Sequence, residues 1–146
     1  MSSQPLNYLK QVWRKHQQAL RFLLVGAGVF AVDATLFYLF FELLHLQLLP
    51  ARVGAFVIAV LLSWWCNRCW TFHERKQAAK TKQLLMFITV SSVAAMANLS
   101  AFYLVTLLLG KTWLDLSLAF SAGVLVGVML NWFGANFWAF KVIEDD

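Results

Sequence analysis

Four apolar stretches, each long enough to cross a bilayer, take up almost the whole 146-residue chain. They run from Leu20 to Leu44, Ala51 to Phe72, Leu84 to Leu109 and Leu114 to Phe140. A helix needs about 20 mainly apolar residues to span the hydrocarbon core. Backbone inside lipid must satisfy its own hydrogen bonds, so each stretch is predicted to be a helix. Charged residues make up 13% of the chain and hydrophobic ones 61%, against roughly 25% charged in soluble domains. A chain this short cannot hide so much apolar surface in a soluble core. The expected fold is therefore all-α and polytopic, one membrane domain over residues 1–146 with no separate soluble module. The N-terminus does not read as a signal peptide. The apolar run after Lys10, Arg14 and Lys15 is too long and lacks a small-residue cleavage site.

The net charge of +5 is unevenly spread. Lys10, Arg14, Lys15 and Arg21 precede or open the first span; Arg68, Arg75, Lys76, Lys80 and Lys82 end the second or follow it; Lys141 follows the fourth. The two hairpin loops offer only Arg52 and Lys111. The positive-inside rule puts both termini and the His73–Lys82 loop in the cytoplasm, and a bias this strong argues against dual topology. A basic surface next to membrane spans fits topology and anionic lipid rather than nucleic acid. Cys66 and Cys69 form a CxxC, but no second Cys or His pair stands at ligand spacing, so neither a metal site nor redox chemistry is expected.

Residues 6–18 place Leu6, Leu9, Trp13 and Gln17/Leu20 at helical spacing, with Lys10, Arg14 and Lys15 elsewhere on the circle. This predicts a short interfacial helix before the first span. The tail Glu144-Asp145-Asp146 is expected to be disordered. The chain also repeats itself. Arg21–Val25 and Asp33–Leu39 line up with Met86–Val90 and Asn98–Leu104, and Ser63–Phe72 lines up with Asn131–Phe140. Each half is one helical hairpin, and with both hairpins starting inside, the repeat is parallel. Such a pair invites a binding site where the halves meet.

Polar residues inside the spans are the candidate functional groups. Asp33 lies 12 residues beyond Arg21, about 18 Å along a helix, near the bilayer midplane. A carboxylate there costs at least ~2.5–3.5 kcal/mol. It can serve as a hydroxyl acceptor, a proton carrier, a counter-ion or interhelical glue. Glu42, at the outer end of the same span, reads as solvated. Arg68, with Asn67 beside it, sits about one turn from the end of the second span, and its donor fork suits phosphate. Arg21 and Lys141 lie at similar depth. Asn98 and Asn131 read as buried amides, and Ala119, Gly123, Gly127 and Asn131 share one face of the fourth span, a small-residue packing stripe. Trp64, Trp65, Trp70, Trp132 and Trp138 cluster at the inner ends of spans two and four, as an interfacial belt or as stacking platforms for a ligand ring. There is no nucleotide-binding motif, metal-ligand cluster or nucleophile–base arrangement, and the expectation is a protein that is not an enzyme and uses no cofactor.

The first span with Phe22-Leu23-Leu24-Val25-Gly26 and a mid-helix Asp, and the second ending in Asn67-Arg68-Cys69-Trp70-Thr71-Phe72, resemble the GtrA-like family. The third span, and the fourth ending in Asn131-Trp132 and Phe137-Trp138-Ala139-Phe140, extend the resemblance over residues 20–141. Two features depart from it: Ser63 stands where the family's second span usually has Asn, and Ala135-Asn136 replaces Asn-Arg in the second half. The resemblance implies movement of polyprenyl-phosphate-linked sugars, such as undecaprenyl-phosphate glucose, across the bacterial inner membrane for O-antigen or other polysaccharide decoration. On that reading Arg68, Asn67, Arg21 and Lys141 meet the lipid phosphate. Asp33, Asn98, Asn131, Trp70 and Trp138 line a polar path for the sugar. The expected partners are membrane lipids, the lipid-linked sugar, a polyprenyl-phosphate glycosyltransferase and further copies of the chain. A proton-coupled small-molecule exporter and a scaffold recruiting a glycosyltransferase remain the alternatives.

Overall fold

The computed structural model describes residues 4–73, 75 and 79–141, with side chains from residue 12 onward. Four helices carry the chain: α1 Gln4–Tyr38, α2 Leu48–Cys66, α3 Lys80–Leu109 and α4 Trp113–Gly134. Single wide π-turns extend three of them, Leu39–Leu43 after α1, Asn67–Thr71 after α2 and Ala135–Ala139 after α4. All four helices are long and apolar enough to cross a membrane, over Val12–Leu43, Leu48–Thr71, Lys80–Leu109 and Trp113–Ala139. This is the all-α membrane architecture that the hydropathy predicts.

Two boundaries differ from the sequence expectation. The predicted interfacial helix is not a separate element, because α1 runs without a break from Gln4 into the first span. No Gly or further Pro interrupts residues 6–25. Pro5 falls in the first turn, where a missing N–H removes no bond. The side chains of Leu6, Leu9 and Lys10 lie outside the described residues, as does the Glu144–Asp146 tail. The middle connection is also shorter than expected, because Lys80 and Lys82 belong to the first turn of α3.

The chain divides into two compact units, Met1–Lys76 and Gln77–Asp146, and each holds one antiparallel helical hairpin. In the first, the chain leaves α1 through backbone bonds from Leu44 N–H to Leu39 O and Leu46 N–H to Phe40 O, both 3.0 Å, with His45 left-handed at φ 51°. In the second, Gly110 at φ 120° makes the turn. Thr112 then caps α4: its hydroxyl accepts from Asp115 N–H at 3.3 Å, and its own N–H donates to Asp115 Oδ2 at 3.1 Å. This reciprocal box satisfies two otherwise orphaned donors at the helix start.

Small residues set how closely each pair of helices approaches. Ala51, Ala55 and Ala59 are buried in α2, and Ala119, Gly123 and Gly127 in α4. These triplets stand at the same offset as Ser63 and Asn131. A Cβ on Gly123 would fall 2.8 Å from the backbone oxygen of Asn98, and one on Gly134 would overlap the Val90 side chain. Lipid offers no hydrophobic drive for helix association, so this close backbone approach is the packing force. At the other end of each hairpin, Phe22 meets Phe72 with centroids 6.4 Å apart, and Phe87 meets Phe140 at 5.7 Å. The internal repeat is therefore visible within each unit as the same π-turn after the second helix, the same small-residue stripe and the same aromatic clasp.

Candidate functional site

The polar residues of the first unit form two groups, one toward each end of α2. At its start, Arg52 donates through Nη1 to Asp33 Oδ2 at 2.7 Å. The Arg52 guanidinium lies 5.8 Å over the Phe37 ring and reaches one turn deeper in α1 to find the carboxylate. Asp33 is buried at 8% exposure, and its Oδ1 has no hydrogen-bond partner in the structure. Arg52 keeps half of its side chain exposed. Of the roles open to Asp33, the structure displays the counter-ion. The sequence reading gave Arg52 no role beyond a loop charge, and its pairing with Asp33 was missed.

The other group sits where α2 passes into its π-turn. Trp64, Asn67, Arg68 and Thr71 recur three and four residues apart and are all buried, Asn67 and Thr71 to 1% and Arg68 to 8% exposure. The Arg68 guanidinium lies 6.0 Å over the Trp64 ring. The π-turn closes with Phe72 N–H on Asn67 O at 2.8 Å. π-Turns inside or at the end of helices recur at functional sites.

Hydrogen-bond bookkeeping distinguishes these side chains. The Asn67 Nδ2 group donates to Ser63 O at 2.9 Å and to Ser63 Oγ at 3.3 Å, which uses both of its hydrogens. Asn67 Oδ1, Trp64 Nε1 and Thr71 Oγ1 are buried and have no partner in the structure. Leaving a buried polar group unmet costs about 1–3 kcal/mol.

Arg21, half-buried on α1, donates weakly to Trp70 O at 3.4 Å and lies 6.0 Å over the Trp70 ring. Arg75 bonds Gln18 Oε1 at 2.9 Å and covers Phe72 at 5.2 Å. The first unit thus collects Arg21, Arg68, Arg75 and the aromatic rings of Trp64, Trp70 and Phe72 around one end of its hairpin. Trp70 itself is 47% exposed and Trp138 49%. Lys141 is exposed beyond the last turn of the second unit.

Asn98 and Asn131 are half-buried rather than fully buried, and each occupies the seam between α3 and α4. Asn98 packs on Gly123 and Gly127, and Asn131 Oδ1 accepts from Ser91 Oγ at 3.3 Å. Cys66 and Cys69 are free thiols. No cluster of metal-ligating side chains occurs among the described residues.

Residues 21–142 match the GtrA/DPMS transmembrane domain. The chain belongs to this family. The match covers both hairpins, with the Asn67-Arg68-Cys69-Trp70-Thr71-Phe72 ending and the second aromatic clasp inside it. The GtrA-like chain is also similar to the uncharacterized membrane protein YngA of Bacillus subtilis (strain 168). The two are 27% identical over 129 residues, covering 86% of this chain and 83% of the relative. Family membership and four membrane-length helices together make this a membrane protein.

Proposed function

We propose that this GtrA-like protein moves a polyprenyl-phosphate-linked monosaccharide, such as undecaprenyl-phosphate glucose, across the bacterial inner membrane to glycosylate a surface polysaccharide. The carrying observation is Arg68, a guanidinium 8% exposed at the end of a membrane-length helix with Asn67 and Thr71 on the same buried face. A planar donor fork at that depth, beside two buried polar side chains, suits a lipid phosphate. Arg21 adds a second guanidinium to the same end of the first hairpin, and Lys141 supplies a further positive charge in the second unit. The sugar then travels past Asp33, while the polyprenyl tail stays in lipid. Asn98, Asn131 and Trp138 are the corresponding polar and aromatic groups of the second unit.

Loading at Arg68 fits a cytoplasmic donor lipid, because the positive-inside rule assigns that end of α2 and both termini to the cytoplasm. The protein acts as a transporter rather than an enzyme. Consumption of the lipid-linked sugar on the far side, or proton coupling, drives net flux. Four spans make a thin wall for such a path, so more than one copy assembles, alongside the glycosyltransferase that loads the lipid. The Asp33–Arg52 ion pair weakens the rival reading of a small-molecule exporter with Asp33 as its proton carrier.

The test is purified protein in liposomes loaded with undecaprenyl-phosphate glucose, with transfer read as exposure of the sugar to an impermeant oxidant. Wild type should transfer the lipid, Arg68→Ala should lose transfer, and Arg68→Lys should recover part of it. Lys82→Ala should match wild type. Transfer by Arg68→Ala at the wild-type rate would overturn the phosphate site. A wild-type protein that binds the lipid without moving it would leave the scaffold reading in its place.

A further inference from the structure

We infer that the buried polar face of the α2 end reads the sugar as well as the phosphate, with Asn67 Oδ1 accepting a hydrogen bond from a sugar hydroxyl of the lipid-linked substrate. This rests on the translocase reading above and reassigns Asn67 within it. The reason is the direction in which the amide can bond. Its two N–H hydrogens are spent on Ser63 O and Ser63 Oγ, at 2.9 and 3.3 Å. A carbonyl oxygen only accepts, so the contact to Ser63 O fixes which end of the amide is nitrogen. What remains is Oδ1, buried and unmet. An ionised phosphate presents acceptors only and cannot satisfy it. A hydroxyl can.

The neighbours agree. Trp64 Nε1 is a donor and Thr71 Oγ1 is both donor and acceptor, and both are buried without a partner in the structure. One donor, one acceptor and one hydroxyl along a single helix face complement a ring that carries several hydroxyls. Arg68, on the same face, supplies the charge for the phosphate that joins such a ring to its lipid.

The second hairpin argues against a purely structural role. It builds the same π-turn with Ala135 where the first has Asn67 and Ala139 where the first has Thr71. The residues that end the two turns nearly superimpose in dihedral angle, Phe72 at φ −116° and ψ 29°, Phe140 at φ −113° and ψ 26°. The closing bonds are both 2.8 Å. The turn therefore needs neither the amide nor the hydroxyl, and alanine fills both positions. The Asn67 oxygen and the Thr71 hydroxyl, buried and unmet, have no counterpart at the second turn, and they belong to what the first hairpin binds.

The experiment measures binding of two probes, undecaprenyl phosphate and undecaprenyl-phosphate glucose, to the full protein in detergent micelles. Wild type should bind the glucose-bearing lipid about tenfold more tightly, the effect of roughly one well-placed hydrogen bond to a buried group. Asn67→Ala copies the second hairpin and should fold. It should lose most of that preference while its affinity for undecaprenyl phosphate changes less than about twofold. Arg68→Ala should weaken both probes alike. Equal wild-type affinity for the two probes overturns the inference with no variant needed. An equal loss of both in Asn67→Ala overturns it in favour of a phosphate or packing role. No loss of either in that variant means that water alone serves the Asn67 oxygen, and this also overturns it. A phosphate site that fails shows itself separately, as Arg68→Ala binding both probes like wild type. Wild type binding neither probe defeats both proposals.

Discussion

Removing either member of the Asp33–Arg52 pair should destabilise the first hairpin, and the two removals should not cost the same. From the sequence alone, Asp33→Asn is a favourable change, since it deletes an intramembrane charge. The structure reverses that sign by giving the charge a partner at 2.7 Å. Two unit charges about 4 Å apart attract by about 4 kcal/mol at an effective dielectric of about 20, but desolvation of Asp33 cancels much of this. Breaking a fully buried pair costs about 3–5 kcal/mol, while an exposed pair contributes about 0–1 kcal/mol. Here one side chain is 12% exposed and the other 50%, so a coupling of about 1–2 kcal/mol is expected between those limits. Asymmetry follows from the same numbers. After Arg52→Gln the Asp33 carboxylate stays buried and unpaired. After Asp33→Asn the long Arg52 side chain can turn its charge to the interface. Arg52→Gln should therefore be the more costly single change, by about 1 kcal/mol. The assay is reversible unfolding in mixed micelles by SDS titration, followed by circular dichroism, on wild type, both single variants and the double variant. A coupling below about 0.3 kcal/mol, or Asp33→Asn proving the more damaging change, would refute the argument.

Three further outcomes can be checked. Single cysteines replacing Gln47 and Lys111, in a background without Cys66 and Cys69, should react with an impermeant thiol reagent from outside the cell, and one replacing Lys80 should not; all three positions are exposed, so the reverse pattern would invert the topology. Gly123→Ala should destabilise the second hairpin by about 1–3 kcal/mol, because its new methyl meets backbone that cannot yield, whereas Gly26→Ala has nothing within 4 Å and should be neutral; equal melting shifts in detergent would contradict the seam geometry. His45→Gly should raise the melting temperature modestly, since a left-handed residue other than glycine costs about 1–2 kcal/mol and φ here is 51°; a lower melting temperature would mean that the imidazole contributes more than the strain.

The sequence by itself determined the class of solvent, the number of spans and the two-fold repeat. It could do so because insertion into lipid depends on summed apolar length, which is additive along the chain and insensitive to detail. It also marked Asp33, Asn67 and Arg68, because a polar residue inside an apolar run stands out without any knowledge of contacts. The Ala51, Ala55 and Ala59 seam was legible too, at four-residue spacing and in register with Ala119, Gly123 and Gly127, but went unread. What only the tertiary structure decided was pairing. Arg52 looked like a loop charge until its side chain was seen reaching one turn down α1 to Asp33. Asn98 and Asn131 read equally well as interhelical glue and as sugar contacts, and only the structure showed each in a helix–helix seam, one against glycines and one bonded to Ser91. Asn67 looked like a donor for phosphate until its N–H groups were found spent on Ser63. Hydrogen-bond direction and ion pairing depend on which atoms come within 3 Å, and helical periodicity fixes the face a residue occupies but not the partner that meets it there.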